Sequence, residues 1–107
     1  MPNKEMGLKE LYETFSKLGK NEVILDVRGQ DEFQAGHIPG AVNIPLGEVA
    51  SRTQELEKFG TIYIHCKRGG RAQTAFDALS QAGLTNLVCV RDAGMDVWIE
   101  NGYPVER

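Results

Sequence analysis

Cysteine, histidine and long apolar runs are all scarce in this sequence, and each scarcity excludes something. There are two cysteines, Cys66 and Cys89, and two histidines, His37 and His65, in 107 residues. Two cysteines do not make a disulfide framework, and nothing marks a secretory context, so both are expected as reduced thiols. No C-x-x-C or H-x-x-x-H spacing occurs, which argues against a structural zinc, and no cofactor is expected. No stretch approaches the ~18 consecutive apolar residues of a membrane helix. Met1 to Lys9 lack the basic-then-apolar pattern of a signal peptide. The expectation is a soluble, cytoplasmic protein with no membrane role. Repeats and low-complexity segments are also missing. A net charge of −3 offers no global reason to bind nucleic acid.

A hydrophobic share of 41% and a charged share of 25% suit a soluble globular chain, and the length suits one domain over residues 1–107. Apolar residues alternate between two periodicities. Leu8, Leu11, Tyr12, Phe15 and Leu18 share one helical face, with Gly19 as the stop. Val23-Ile24-Leu25-Asp26-Val27 is a strand buried on both faces. Asp31, Glu32 and Phe33 open a short helix ending by Gly36, and His37-Ile38-Pro39-Gly40 is a turn. A short strand over Ala41 to Ile44 and a surface helix over Glu48 to Lys58 follow. Ile62-Tyr63-Ile64-His65 is a third buried strand. Ala72, Ala75, Phe76, Leu79 and Ala82 define a second amphipathic helix, stopped by Gly83. Leu87 to Val90 is a fourth strand, and Met95 to Glu100 a last helix carrying Trp98 as an anchor. Strands alternating with helices predict an α/β fold with a mostly parallel sheet. In such sheets ligands bind beyond the carboxyl ends of the strands, where Asp26, Arg28, His65, Cys66 and Asp92 fall.

The segment from His65 to Ala72 reads H-C-K-R-G-G-R-A. A strand delivers Cys66 to the sheet edge and a helix begins near Arg71 or Ala72. Gly69 and Gly70 let the intervening backbone turn tightly, so that successive N–H groups can face inward as an anion nest beside a helix N-terminus. A thiol at the centre of such a ring meets hydrogen-bond donors and positive charge together, which favours the nucleophilic thiolate. Lys67, Arg68 and Arg71 form a basic spot on a mildly acidic protein, which suits a small anionic ligand better than a long polyanion. Lys67 and Arg68 also have a plain reading as solvated loop charges.

The strings Ile24-Leu25-Asp26-Val27-Arg28, Glu32-Phe33 and Gly36-His37-Ile38-Pro39-Gly40-Ala41-Val42-Asn43-Ile44-Pro45 resemble the front half of a rhodanese domain. The Cys66 to Arg71 loop resembles that family's active-site loop, and Gly94 with Trp98 its closing G-x-x-x-W segment. The resemblance runs from about Leu8 to Pro104. It implies a rhodanese-like three-layer α/β/α fold and sulfur transfer of the thiosulfate type through a persulfide on Cys66. Two departures stand out. Only Lys4 to Met6 are available for a strand before the first helix, which leaves four or five strands in the parallel sheet. Ala93-Gly94 stands where the family often has two glycines.

Residue roles follow as expectations. Cys66 is the nucleophile. Lys67, Arg68, Gly69, Gly70 and Arg71 bind the substrate, with Arg71 able to hold a sulfonate by two hydrogen bonds. Asp26 and Arg28 form an ion pair or brace the loop. His37 bonds the backbone of its turn, His65 is structural and Cys89 is core. The implied partners are a small anionic sulfur donor and a thiol or protein acceptor, with the protein itself a monomer. A persulfide carrier with little turnover is the alternative. Cysteine-dependent phosphatases resemble H-C-x5-R, whereas four residues separate Cys66 from Arg71 here. The shorter ring suits a sulfane sulfur better than a tetrahedral phosphate.

Overall fold

Alternation of side chains along the strands decides the layering of this chain, whose computed structural model describes residues 4–107. The strands are β1 (Lys4–Met6), β2 (Glu22–Asp26), β3 (Val42–Asn43), β4 (Thr61–His65) and β5 (Leu87–Val90). All pair in parallel, in the order β1-β5-β4-β2-β3. Successive residues of a strand face opposite sides. Val23, Leu25, Ile62, Ile64, Leu87 and Cys89 therefore join one core cluster, and Ile24, Tyr63, Val88 and Val90 the other.

Helix α3 (Gly70–Gln81) covers the first face with Ala72, Ala75 and Leu79. Helices α1 (Leu8–Thr14) and α4 (Met95–Glu100) cover the second with Leu8, Leu11, Met95 and Trp98. The remaining helix, α2 (Gln30–Ala35), follows β2. This is the three-layer α/β/α arrangement with five strands. The short segment before α1 is a real strand, with Lys4, Glu5 and Met6 opposite Val88, Cys89 and Val90. Trp98 is completely buried, and its indole N–H donates to the Pro104 carbonyl at 2.6 Å. Both ends of that side chain are thereby satisfied, the apolar body by packing and the polar tip by the backbone.

Two helix expectations need correction. The first helix is α-helical only to Thr14 and tightens into a 3-10 turn over Phe15–Lys17. The hydroxyl of Thr14 bonds back to the Glu10 carbonyl at 2.6 Å as the helix ends. The segment from Glu48 to Lys58 is not an α-helix. It forms two 3-10 turns, Leu46–Ser51 and Thr53–Glu55, broken at Arg52, whose φ is −123° and ψ 24°. Val49 and Leu56 are buried as expected, but a kinked strap positions them rather than a continuous helix.

Parallel pairing brings the carboxyl ends of β2, β4 and β5 to one edge. Asp26 lies opposite His65, and Ile64 opposite Cys89. Cys66 is the first residue beyond β4, so the loop that follows it opens at the centre of this edge. No helix is long and apolar enough to cross a membrane among the described residues.

Candidate functional site

Cys66 leaves β4 and its loop doubles back into α3, with Gly69 at the bend. Gly69 has φ +119°, and an added Cβ would stand 2.0 Å from the Arg91 carbonyl oxygen. Only glycine fits there, on both conformational and steric grounds. The bend turns the Gly69 N–H onto Cys66 Sγ at 3.0 Å, and the first turn of α3 adds the Ala72 N–H at 3.3 Å. Cys66 is buried, yet it lines a cleft of about 370 Å³ together with Lys67, Arg68, Gly70 and Arg71. The predicted loop residues are thus brought around the sulfur.

The opposite side of the loop is held by α4. The Met95 N–H donates to the Cys66 carbonyl at 2.9 Å, and the Asp96 N–H to the Lys67 carbonyl at 3.2 Å. A trans peptide points its N–H opposite to its C=O. Fixing these two carbonyls toward α4 therefore turns the N–H groups of Lys67 and Arg68 away from it. Gly94, which begins α4, makes the approach possible. A Cβ on it would lie 2.2 Å from the Cys66 oxygen and 2.5 Å from the Lys67 carbonyl. Ala93, the departure from a double glycine, packs as a partly buried residue against the second core cluster.

The loop's cations divide. Arg71 donates from both terminal nitrogens to Glu32, at 2.6 and 3.0 Å. These bonds push the Glu32 carboxyl down to about 2, and the same carboxylate accepts the Gly29 N–H at 2.9 Å. Arg68 is exposed and pairs with Asp96 at 3.0 Å. Lys67 has no carboxylate partner among the described residues. Glu32, Asp96 and Gly94 were not singled out for these contacts by sequence reasoning. Glu32 entered as a residue opening a short helix and, like Gly94, as a letter of the family strings, since their partners lie far along the chain.

Beneath the loop lies a buried polar cluster. Arg28 donates to both Asp26 oxygens at 2.8–3.0 Å and to the Gly36 carbonyl at 2.7 Å. Asn43 ties the Asp26 and Arg28 carbonyls together at 3.0 and 2.9 Å. Asp26 and Arg28 form the expected ion pair, away from the cleft lining. His65 is fully buried, with Nδ1 3.4 Å from the Cys66 carbonyl oxygen and Nε2 3.8 Å from Asp26. Burial holds its pKa below the ordinary imidazole value, outweighing the pull of Asp26. His37 bonds the Phe33 carbonyl at 2.9 Å and stacks on the Phe33 ring, apart from Cys66. Cys89 is buried in the sheet, and burial pushes its thiol up to about 11. Both cysteines are free. No group of three metal-ligating side chains gathers among the described residues.

The His65 shift has a measurable consequence. Unfolding releases His65 to its ordinary value of 6.5, so below that pH the unfolded chain binds a proton that the folded chain refuses. His65 therefore contributes stability that is present above pH 6.5 and erodes as pH falls through the window below it. The slope approaches about 1.4 kcal/mol per pH unit where the difference is one proton. Urea melts at neutral pH and near pH ~5 should show this loss in the wild type, and a smaller loss in His65→Asn. Equal losses in both would assign the acid sensitivity elsewhere.

A parallel sheet between two helical layers, with a cysteine loop at its carboxyl edge, defines the class as a three-layer α/β/α domain of the rhodanese-like kind. Residues 8–101 match the family described as Rhodanese-like domain, and the chain belongs to that family. It is 43% identical over 75 residues to the putative sulfur carrier protein YrkF of Bacillus subtilis, covering 70% of this chain and 40% of YrkF. It is 37% identical over 65 residues to the thiosulfate sulfurtransferase PspE of Escherichia coli, covering 59% of this chain and 62% of PspE. The chain thus spans less than two thirds of either protein. A solved rhodanese-related protein from Thermoplasma volcanium superposes with a TM-score of 0.81 at 36% identity, over 96% of this chain and 97% of that one.

Proposed function

We propose that Cys66 accepts a sulfane sulfur from thiosulfate or a similar anionic donor and passes it to a thiol or protein acceptor, the chain acting as one cytoplasmic domain and as a monomer. The observation that carries this reading is the pair of N–H groups, from Gly69 and Ala72, converging on Sγ at the cleft. N–H donors aimed at a sulfur stabilise negative charge that develops there during transfer.

In the first step the Cys66 thiolate attacks the outer sulfur of thiosulfate. A new S–S bond forms, the donor's S–S bond breaks, and sulfite leaves with its electron pair. In the second step the acceptor thiolate attacks the terminal sulfur of the persulfide and regenerates the Cys66 thiolate. This is double-displacement covalent catalysis, for which ping-pong kinetics are expected. The N–H groups of Lys67, Arg68, Gly70 and Arg71 have no acceptor among the described residues. They would stabilise the outer sulfur's charge as an oxyanion hole does for oxygen. Lys67 lines the cleft, which supports a role for it in attracting the donor's anionic head.

The test is intact-mass spectrometry after exposure to thiosulfate, beside a steady-state cyanide assay. One added sulfur on the wild type, none on Cys66→Ser, and turnover with cyanide support the enzyme. An unloaded wild type would overturn it. The carrier reading draws on the likeness to a protein named as a sulfur carrier and predicts stoichiometric loading with little turnover.

A further inference from the structure

We propose that Glu32 is a specificity-determining, positioning residue that withholds Arg71 from oxyanions, biasing the Cys66 cleft toward donors whose transferable sulfur is not attached to an oxyanion head. The part of this inference that concerns donors rests on the reading of Cys66 as a sulfur acceptor. The part that concerns oxyanion binding does not.

Arg71 lines the cleft beside Cys66. An arginine there would ordinarily present its two terminal nitrogens as a fork to sulfate, phosphate or a sulfonate. Here that fork is already closed on a carboxylate, at 2.6 and 3.0 Å. Glu32 is itself held by the Gly29 N–H at 2.9 Å, so the pair is anchored to the start of α2 rather than swinging freely. With its carboxyl pushed down to about 2, Glu32 stays ionised at every working pH and neutralises the guanidinium charge facing the cleft. Two of the five guanidinium N–H groups are engaged in this way, and a ligand meets Arg71 only through its Nε edge and the outer N–H groups of a guanidinium whose charge is already paired.

The consequence for ligand choice is chemical. A tetrahedral oxyanion needs several charge-assisted donors, and the strongest of them is engaged. A terminal persulfide sulfur is a single atom and needs only the backbone N–H ring. The favoured donor class is therefore a persulfide on a thiol, small or proteinaceous, with thiosulfate a weaker donor. The same restraint disfavours phosphate esters.

The experiment compares the wild type, Glu32→Gln and the double variant Glu32→Gln/Arg71→Gln. Glutamine keeps the side-chain length and the oxygen that accepts the Gly29 N–H, and the pair is a third exposed, so folding should persist; circular dichroism checks this. Inorganic sulfate and phosphate are titrated against alkylation of Cys66 by iodoacetamide. Glu32→Gln should bind both on the order of tenfold more tightly than the wild type, and the double variant should lose that gain. The KM of Glu32→Gln for thiosulfate should fall by a similar factor, with its KM for a persulfide donor unchanged. Unchanged oxyanion affinity in Glu32→Gln, or a gain that survives loss of Arg71, would overturn the proposal. If no donor loads the wild type yet the sulfate gain appears, the sulfur-transfer reading fails and the role of Glu32 stands.

Discussion

Gly94→Ala should slow sulfur loading on Cys66 on the order of a hundredfold while leaving the sheet folded. The added methyl would sit 2.2 Å from the Cys66 oxygen and 2.5 Å from the Lys67 carbonyl carbon and oxygen. All three are backbone atoms, so no flexible side chain can swing aside. Either α4 withdraws or the loop shifts. In both cases the bonds from Met95 and Asp96 that orient the Cys66 and Lys67 carbonyls are lost. The N–H groups opposite those carbonyls then lose their aim. A displacement of about 1 Å in a reacting geometry costs on the order of a hundredfold in rate, and overpacking costs roughly 1–3 kcal/mol of stability. Gly47→Ala is the matched control, because a Cβ there meets nothing within 4 Å. Intact-mass loading and a urea melt on both variants check the prediction. A Gly94→Ala protein that loads sulfur at the wild-type rate would show that α4 does not govern the loop.

The contrast between Gly94 and Cys66 shows what was legible in the sequence. The Cys66 loop announces itself locally, because a strand, a cysteine, two glycines and a helix follow one another within a few residues. The buried strands were legible for the same reason, each being a short branched run. The contacts that complete the site are not local. Glu32 lies 39 residues from Arg71, and Asp96 lies 28 from Arg68. Nothing in the immediate neighbourhood of either acid separates it from the chain's other carboxylates. Arg71 was accordingly expected to face the donor, whereas the fold supplies it with a carboxylate from α2. The strap over 46–55 misled for another reason. Val49 and Leu56 are seven residues apart, two helical turns, and Arg52 bonds both Glu48 and Glu55 at helix-like spacings. Side-chain periodicity there mimics a helix that the backbone at Arg52 interrupts.

Arg28→Met should produce the largest loss of stability. Asp26 is completely buried, and Arg28 supplies three of the hydrogen bonds to its carboxylate, at 2.8–3.0 Å. Methionine keeps much of the volume and removes the charge. It also strips the Gly36 carbonyl of its 2.7 Å donor. What remains for Asp26 is the backbone N–H of residue 28 at 3.0 Å and a neutral His65 at 3.8 Å. Removing one partner of a buried pair leaves the other charge uncompensated, at a cost of about 3–5 kcal/mol. In a domain of this size that lowers the melting temperature by roughly 13–22 °C. The pH dependence separates this cause from simple loss of packing. Acidification lets His65, freed from the repulsion of the Arg28 charge, take up a proton and stand in as the countercharge. The deficit relative to wild type should therefore shrink as pH falls below 6.5. A deficit that stays constant from neutral pH into this range would mean that Arg28 acts through packing, and that the Asp26–Arg28 pair contributes little as a pair of charges.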